Sequence, residues 1–398
     1  MQLTIRSWSA RRLFYYVAAF IFLTIMVCPD LISYYPAIRY VRILQNCLSC
    51  IAVLLLAYYY RNRFIRTTLY LFGAFLLATI INNSNLPSVL YYFSKSFGLI
   101  VVLYYFLHME SRAFWRVLSD YFALAVYLNT LITLLYPQGF ITAQSINLMD
   151  KGIFLLGERN QIMPYYLISI AVSKIYFEYT GEKQRRGLFL FVCCMISEYF
   201  YKSSTAAIGI AVFAILYFTD FTKILSKVKK MSWSRRRLIA IGGGIAFLYY
   251  LVVVYRIQNK LSDLIYFLFK KDATFSTRTI IWDYALRMIK ESPVFGYGGT
   301  ATKYITVGRY VFNCHNVFLQ VMIMGGGIMT VIFIWMIIQA INDTSKILRR
   351  NIQKPYIALL VAVFIMSLTE VYAISLVVFI LFLPIIIVES DMCFQNTE

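Results

Sequence analysis

The sequence predicts an all-α fold: a polytopic integral membrane protein with about twelve transmembrane helices and one long outer loop. Of its 398 residues, 61% are hydrophobic, and the mean hydropathy is +0.69. Apolar runs of about twenty residues recur along the chain, and each is long enough to cross roughly 30 Å of hydrocarbon. Runs this continuous favour helices over the weak alternation of barrel strands.

The predicted spans follow one another through short connections, except at one place. They are expected at about 13–34, 43–60, 67–83, 88–109, 117–136, 161–177, 187–201, 204–219, 238–255, 316–341, 356–372 and 374–388. The long outer loop, 256–315, separates the ninth span from the tenth. Residues 1–398 are therefore expected to form a single membrane domain, with 256–315 as its elaborated outer part.

The formal net charge of +20 would suggest a nucleic-acid partner in a soluble protein, but its distribution here follows the predicted topology. With a cytoplasmic N-terminus, 22 of the 38 Lys and Arg residues fall in cytoplasmic segments. The even number of spans then places the C-terminus in the cytoplasm as well. No nucleic-acid partner is expected.

The outer loop is the exception to this charge pattern. It carries nine Lys and Arg residues and one of the two histidines of the chain. The positive-inside rule applies only weakly to long loops. The positive charge of this loop can therefore have a functional origin. An anionic substrate is the first candidate.

Within the loop, residues 276–290 have the pattern of an amphipathic helix. Ser276 or Thr277 can cap its first turn, and Ser292-Pro293 ends it. Arg278 lies in that first turn, where its cation gains nothing from the helix dipole, and Trp282 shares its face. A guanidinium there suits phosphate oxygens, and the alternative is an interfacial arginine at the lipid headgroups.

His315 and Asn316 stand where the loop meets the tenth span. An imidazole at this position could accept a proton from a sugar hydroxyl as a general base, or orient that hydroxyl. The segment 293–299 predicts a turn that returns the chain to the membrane surface. The glycines 325–327 inside the tenth span predict close helix packing or a kink.

Other outer-face residues could add to the same site. Arg159 could supply a second guanidinium. Glu198 and Lys202, four residues apart, are either a mutual ion pair or part of the site. Glu370 is a possible acid or a helix-packing contact. The seven cysteines have neither disulfide nor metal spacing. No metal is expected, because the outer face also lacks an obvious Asp-x-Asp motif.

The order of these motifs resembles the O-antigen polymerase and ligase family of bacterial inner membranes. The matching pieces are G-E-R-N-Q from Gly157, K-S-S-T-A-A-I-G from Lys202, T-F-S-T-R-T-I-I-W from Thr274, P-V-F-G-Y-G from Pro293 and H-N-V-F-L-Q from His315. They cover about 155–330. The resemblance implies that Arg278 binds the pyrophosphate of an undecaprenyl-linked glycan. It also implies that His315 assists the acceptor hydroxyl without a metal, and that a lipid diphosphate bond supplies the energy, so no cofactor is expected.

By their position beside these motifs, further residues are predicted to bind substrate: Arg159, Lys202, Asn316, Trp282 and Glu198. The expected partners are the undecaprenyl-diphosphate-linked glycan, membrane lipid and a chain-length regulator protein. The expected location is the bacterial inner (cytoplasmic) membrane.

Two departures from the family pattern favour a polymerase over a ligase. Ligases commonly have an arginine at the span corresponding to 203–205, and this chain has Ser203-Ser204-Thr205. The glycine spacing after His315 also fails at Met329. The predicted function is a membrane glycosyltransferase that polymerises lipid-linked repeat units into O-antigen or capsular polysaccharide.

Two alternatives to the polymerase stay open. One is the O-antigen ligase. The other, of a different class, is a transporter or flippase for lipid-linked oligosaccharide, which predicts charges near mid-span, whereas the charge here lies at the outer rim.

Overall fold

The computed structural model describes residues 10–59, 62–144, 150–181, 185–219, 234–260, 267, 278–299, 305–307 and 310–395. Long helices dominate this part of the chain. They are α1 (Ala10–Met26), α2 (Ile38–Tyr59), α3 (Arg63–Ile81), α4 (Leu86–Met109), α5 (Ser111–Leu135), α6 (Met163–Thr180), α7 (Arg186–Tyr201), α8 (Ser204–Phe218), α9 (Arg235–Tyr249), α10 (Arg278–Glu291), α11 (Val317–Thr344), α12 (Arg350–Met366) and α13 (Ile374–Gln395). Helix α9 continues as a π-helical turn, Tyr250–Val254, and short helical segments occupy Asp30–Tyr34 and Ile257–Lys260.

Short strands, which the sequence did not predict, lie between the helices at two places. Strands β1 (Ile141–Gln144), β2 (Asp150–Phe154) and β3 (Gly157–Glu158) form an antiparallel sheet in that order between α5 and α6. Strands β4 (Ile305–Val307) and β5 (Tyr310–Phe312) form a hairpin before α11. The segment between α5 and α6 is thus a second folded connection, besides the predicted long loop.

The prediction of a helical, multi-pass membrane fold is confirmed. Each of the twelve predicted spans overlaps one long helix. Among the described residues, six helices are long and apolar enough to cross a membrane: Arg63–Ile81, Leu86–Met109, Ser111–Leu135, Arg235–Val254, Val317–Thr344 and Ile374–Met392. The full count of twelve, and the loop's outer location, stay predictions.

The core lies around α6 and α13. In the apolar stretch of α13, 83% of residues are buried inside the protein, whereas the corresponding figure for α9 is 17%. Because lipid tails are as apolar as leucine, the exposed apolar face of α9 is compatible with contact to lipid. Helix α6 buries nearly all of its residues against its neighbours α5, α7 and α12.

Helix α11 is broken just over two turns from its start, as the triple glycine predicted. Gly325 and Gly326 leave helical geometry, with Gly326 at φ 62°. The turn 293–299 fills the break: the Tyr297 N–H donates to the Ile323 carbonyl at 2.8 Å. The Gly327 N–H in turn donates to the Pro293 carbonyl at 2.8 Å. The predicted surface turn therefore docks into a helix.

The same turn also contacts the connection between α3 and α4. The Asn82 side chain donates to the Gly296 carbonyl at 3.0 Å, and the Gly299 N–H donates to the Thr79 hydroxyl at 3.0 Å. A side chain at Gly298, which has φ 75°, would meet Thr79 backbone at 2.5 Å. One end of the helix bundle, the site end, thus gathers the connections α3–α4, α5–α6, α7–α8 and α12–α13 with the segment from α10 to α11.

Candidate functional site

A buried carboxylate, Glu370, is the centre of a charged cluster at the site end. Glu370 lies in the connection 367–373 between α12 and α13, and its side chain is only 4% exposed. One carboxylate oxygen accepts from the Arg278 guanidinium, and the other lies 3.3 Å from Nδ1 of His315. Asn160 donates to the first oxygen at 3.1 Å. Four side chains that are far apart in the sequence therefore meet at this cluster, the Glu370 cluster.

Helix α10 brings Arg278 to the cluster. The predicted helix is confirmed: its described part runs from Arg278 to Glu291 and buries Trp282 and Ala285 on one face. The predicted caps Ser276 and Thr277 lie outside the described residues. Arg278, in the first described turn of the helix, reaches Glu370 with its guanidinium.

His315 is fixed through the residues on both sides of it. The indole N–H of Trp282 donates to the Cys314 carbonyl at 3.0 Å. The Asn316 side chain caps α11 by accepting from the Leu319 N–H at 3.1 Å, and it donates to the Leu368 carbonyl at 3.0 Å. These bonds tie the loop to α10, to α11 and to the connection that carries Glu370.

The backbone of His315 is itself unusual. Its φ is 44°, in the left-handed region, where a non-glycine residue is uncommon. The Asn313 side chain accepts from the His315 N–H at 2.9 Å and stabilises this local bend. The bend sets the direction of the imidazole towards Glu370.

Asn160 is held in place by the sheet between α5 and α6. Buried Asn129 on α5 accepts from the Leu156 N–H at 3.0 Å and donates to the hydroxyls of Tyr166 and Tyr201 at 3.0 and 2.8 Å. This network of side chains anchors the β2–β3 turn onto α5, α6 and α7. The chain then continues through β3 to Asn160.

The start of α8 lies beside the same connection. The hydroxyls of Thr205 and Thr369 are 3.0 Å apart, and Thr369 directly precedes Glu370. Ser203 caps α8 through its side chain. The Ser203-Ser204-Thr205 motif therefore stands next to the Glu370 cluster, although it lacks the arginine that ligases commonly carry.

The predicted substrate-binding residues differ in burial and in the contacts they make. Trp282 and Asn316 are fully buried, and their contacts hold His315 in position. Arg159 and Lys202 are exposed, directly before Asn160 and Ser203 respectively, and Lys202 ends α7 with φ 50°. Glu198 lies half-buried one turn before Lys202. Their contact with substrate stays a prediction.

The geometry defines the chemistry of the histidine. An ionised carboxylate only accepts hydrogen bonds, so the contact with Glu370 calls for the proton on Nδ1 of His315. Nε2 then keeps its lone pair and can accept a proton from a hydroxyl. The His315 side chain is 22% exposed, which leaves the imidazole accessible. The adjacent Cys314 thiol is buried, and burial raises its pKa, so it stays neutral.

The arginine keeps capacity for a further anion. A guanidinium has five N–H donors, more than Glu370 can accept. The Arg278 side chain is 16% exposed, so part of it faces an open space. Because Glu370 is buried, its charge depends on Arg278, and removal of either partner would leave a buried charge uncompensated.

The sequence alone leaves Glu370 undecided between an acid and a packing contact, and Asn160 carries no signal of its own. Glu370 stood out as an ionisable residue near a membrane span, which is a general sign of function. The pairing with Arg278 needs a contact across 92 positions of sequence, which no local pattern specifies. Within the described chain, no group of three or more His, Cys, Asp or Glu side chains could hold a metal ion.

The fold and the Glu370 cluster define a polytopic helical membrane protein with a buried, charged site at one end of its bundle. Residues 188–334 match a protein-family model described as O-antigen ligase. This match supports the resemblance to the O-antigen polymerase and ligase family. It includes Arg278 and His315 and ends before Glu370. No curated protein matches the chain.

The family match supports a glycosyltransferase-like function in the membrane, of the ligase or polymerase type, on a lipid-linked glycan. Transport of the glycan is not favoured. Polymerase and ligase are not separated by the match.

Proposed function

We propose that this protein is a polysaccharide polymerase, which joins undecaprenyl-diphosphate-linked repeat units into O-antigen or capsular polysaccharide at the outer face of the inner membrane. The observation that supports it most is the Glu370 cluster, in which a guanidinium and an imidazole share one buried carboxylate. Transfer of a glycan from a lipid diphosphate needs both groups: a cation that binds the leaving diphosphate and a base that accepts the proton of the acceptor hydroxyl.

In this proposal the acceptor is a sugar hydroxyl. Its oxygen attacks the anomeric carbon of the donor glycan, and the bond from that carbon to the diphosphate oxygen breaks. The bonding electrons leave with the lipid diphosphate, and the hydroxyl proton passes to Nε2 of His315. Arg278 binds the diphosphate and stabilises the charge that develops there. No metal and no nucleotide take part in the reaction.

Glu370 has two roles in this mechanism. It holds the tautomer of His315 that has a free Nε2, and it stabilises the imidazolium that forms when the proton arrives. It also keeps Arg278 in place before the substrate binds. A phosphate oxygen then binds the guanidinium donors that face the open space.

The second candidate function is the ligase, because the family model that matches 188–334 is described as O-antigen ligase. A ligase transfers a finished glycan once to a different acceptor. The absence of arginine from Ser203-Ser204-Thr205 favours the polymerase. A chain-length regulator would be a partner of the polymerase only.

The two functions differ in their products. Purified protein in detergent is given lipid-linked repeat units alone, in a buffer containing EDTA, and the products are separated by size. A polymerase yields a ladder of products that differ by one repeat unit. The ligase needs its second acceptor, so the absence of a ladder and a single transfer after that acceptor is added would contradict the proposal.

A further inference from the structure

Tyr372 lies two residues after Glu370, in the same connection between α12 and α13. It is 2% exposed, and among the described residues its hydroxyl has no hydrogen-bond partner. A buried hydroxyl without a partner is destabilising, and most such groups are bonded. The hydroxyls of buried Tyr166 and Tyr201 follow the rule and bond to Asn129. Among the described residues, the hydroxyl of buried Tyr356 in α12 also has no partner, but Tyr356 is not in the connection that carries Glu370. Among the described residues, the Tyr372 hydroxyl is therefore a donor without an acceptor.

The charged groups around Tyr372 indicate which kind of acceptor its hydroxyl would bind. Burial raises the pKa of its hydroxyl well above the usual value; the charge of Glu370 adds to this, and Arg278 opposes it. Tyr372 shares the short connection between α12 and α13 with Glu370, the carboxylate that binds Arg278. Its hydroxyl also stays protonated at neutral pH, so it can donate to an anion without repelling it.

We propose that Tyr372 is a further substrate-contacting residue, whose hydroxyl donates a hydrogen bond to the diphosphate that Arg278 binds. The inference rests on the proposed function and deepens it, because it adds a neutral donor to the cationic one. Glu370 occupies part of the guanidinium in the structure, so a second donor helps an incoming phosphate compete with that carboxylate. Such a donor, fixed before the substrate arrives, is how enzymes stabilise developing charge.

The test compares two substitutions that remove only a hydroxyl. Tyr372→Phe removes the proposed donor. Tyr356→Phe is the matched control, because the Tyr356 hydroxyl is also buried without a partner among the described residues, but Tyr356 lies in the first half of α12, away from the connection that carries Glu370. The probe is undecaprenyl diphosphate, the leaving group itself, titrated into purified full-length protein in detergent. Thermal unfolding of each variant is measured in parallel.

We expect Tyr372→Phe to weaken binding of undecaprenyl diphosphate about tenfold to a hundredfold, the range for one hydrogen bond to a charged group. Tyr356→Phe should bind like the wild type, and the unfolding temperature of Tyr372→Phe should not fall. Phosphatidylglycerol, a lipid with one phosphate, is titrated as a second probe. Its binding should change little, since a general headgroup contact would weaken both lipids equally.

Unchanged binding of undecaprenyl diphosphate by Tyr372→Phe would overturn the inference. Binding of both lipids weakened equally by Tyr372→Phe would also overturn it. So would weaker binding of undecaprenyl diphosphate by both variants together with a lower unfolding temperature. If the wild type itself does not bind undecaprenyl diphosphate, the proposed function fails first, and the inference falls with it. Wild-type binding separates these two failures.

Discussion

The two ends of the helix bundle both pair carboxylates with cations, but they do so in different ways. At the site end, Glu370 is buried and joins Arg278 and His315, and all three stand on separate segments. At the opposite end, Asp120 pairs with Arg186 across α5 and α7 and with Arg116 one turn away. There the side chains of Asp120 and Arg186 are 22% and 31% exposed.

The difference between the ends shows which charges are expected to serve function. Partly exposed pairs cost little to form and stabilise little, so they suit the anchoring of helix ends in a headgroup region. A buried carboxylate that depends on two partners is costly to keep, and hydrophobic side chains could fill the same space. Among the described residues, the opposite end also holds the second histidine, His108, 3.9 Å from Glu389. Each pair at that end provides a control for the site end.

The largest expected effect is all-or-none and concerns which end is outside. Reporter enzymes that work only outside the cytoplasm, fused after Lys271, should be active, whereas fusions after Lys230 or Arg350 should be inactive. The reason is the predicted cytoplasmic location of the basic connections. Enzyme activity in intact cells is the measurement. A silent fusion after Lys271 would put the Glu370 cluster in the cytoplasm and contradict the proposed function.

The next effect is that of His315→Ala. Loss of a general base should slow formation of polymer by about 10² to 10⁴-fold, while binding of the lipid-linked donor changes little. Turnover and donor binding are measured on the same purified protein. His108→Ala at the opposite end is the control and should keep normal turnover. An equal loss of binding and turnover would make His315 a positioning residue instead of a base.

Glu370→Gln should have a smaller effect on turnover, roughly 10²-fold, the lower end of the range for a general base, because His315 itself remains. The amide keeps the size of the side chain but can present the wrong group to Nδ1. Asp120→Asn is the matched control at the opposite end, and its turnover should stay near that of the wild type. The rate of polymer formation as a function of pH gives a second readout. If Asp120→Asn and Glu370→Gln behaved alike, the contrast between the two ends would disappear.

The smallest of these effects is expected for Arg278→Lys, at about tenfold to a hundredfold, because lysine keeps the charge but loses the planar pair of donors. Polymer is quantified in membranes after the amount of inserted protein has been equalised. Arg287→Lys, on the exposed side of the same helix, is the control. Near-normal polymer from Arg278→Lys would support the alternative of an arginine that only contacts lipid headgroups.

Local patterns in the sequence predicted much of this arrangement. The helix α10, its end before Ser292-Pro293 and the break of α11 at Gly325–Gly326 each follow from residues close in sequence. Apolar runs of sufficient length predicted the membrane helices. These features depend on the backbone and on hydropathy, which the local sequence largely determines.

Local sequence patterns did not predict the contacts between segments that are distant in the sequence. The bonds of Glu370 to Arg278 and Asn160 join three segments, the helix α10 and two connections, whose approach depends on how all the helices pack. The docking of 293–299 into α11 is similar, because a sequence with Gly296 and Gly298 predicts a turn but not its partner. The sheet between α5 and α6 was missed because its strands are short and lack the alternation of a longer strand.

The break in α11 has a consequence for how the protein is made. A helix broken inside the hydrocarbon would expose carbonyl and N–H groups that lipid cannot bond. The groups that satisfy them, at Pro293 and Tyr297, are translated before α11. If 256–315 is translocated first, these groups already stand on the far side when α11 leaves the insertion machinery. The order of translation thus suits assembly in the membrane, because the turn 293–299 is already present when α11 is inserted and can bond to its broken backbone.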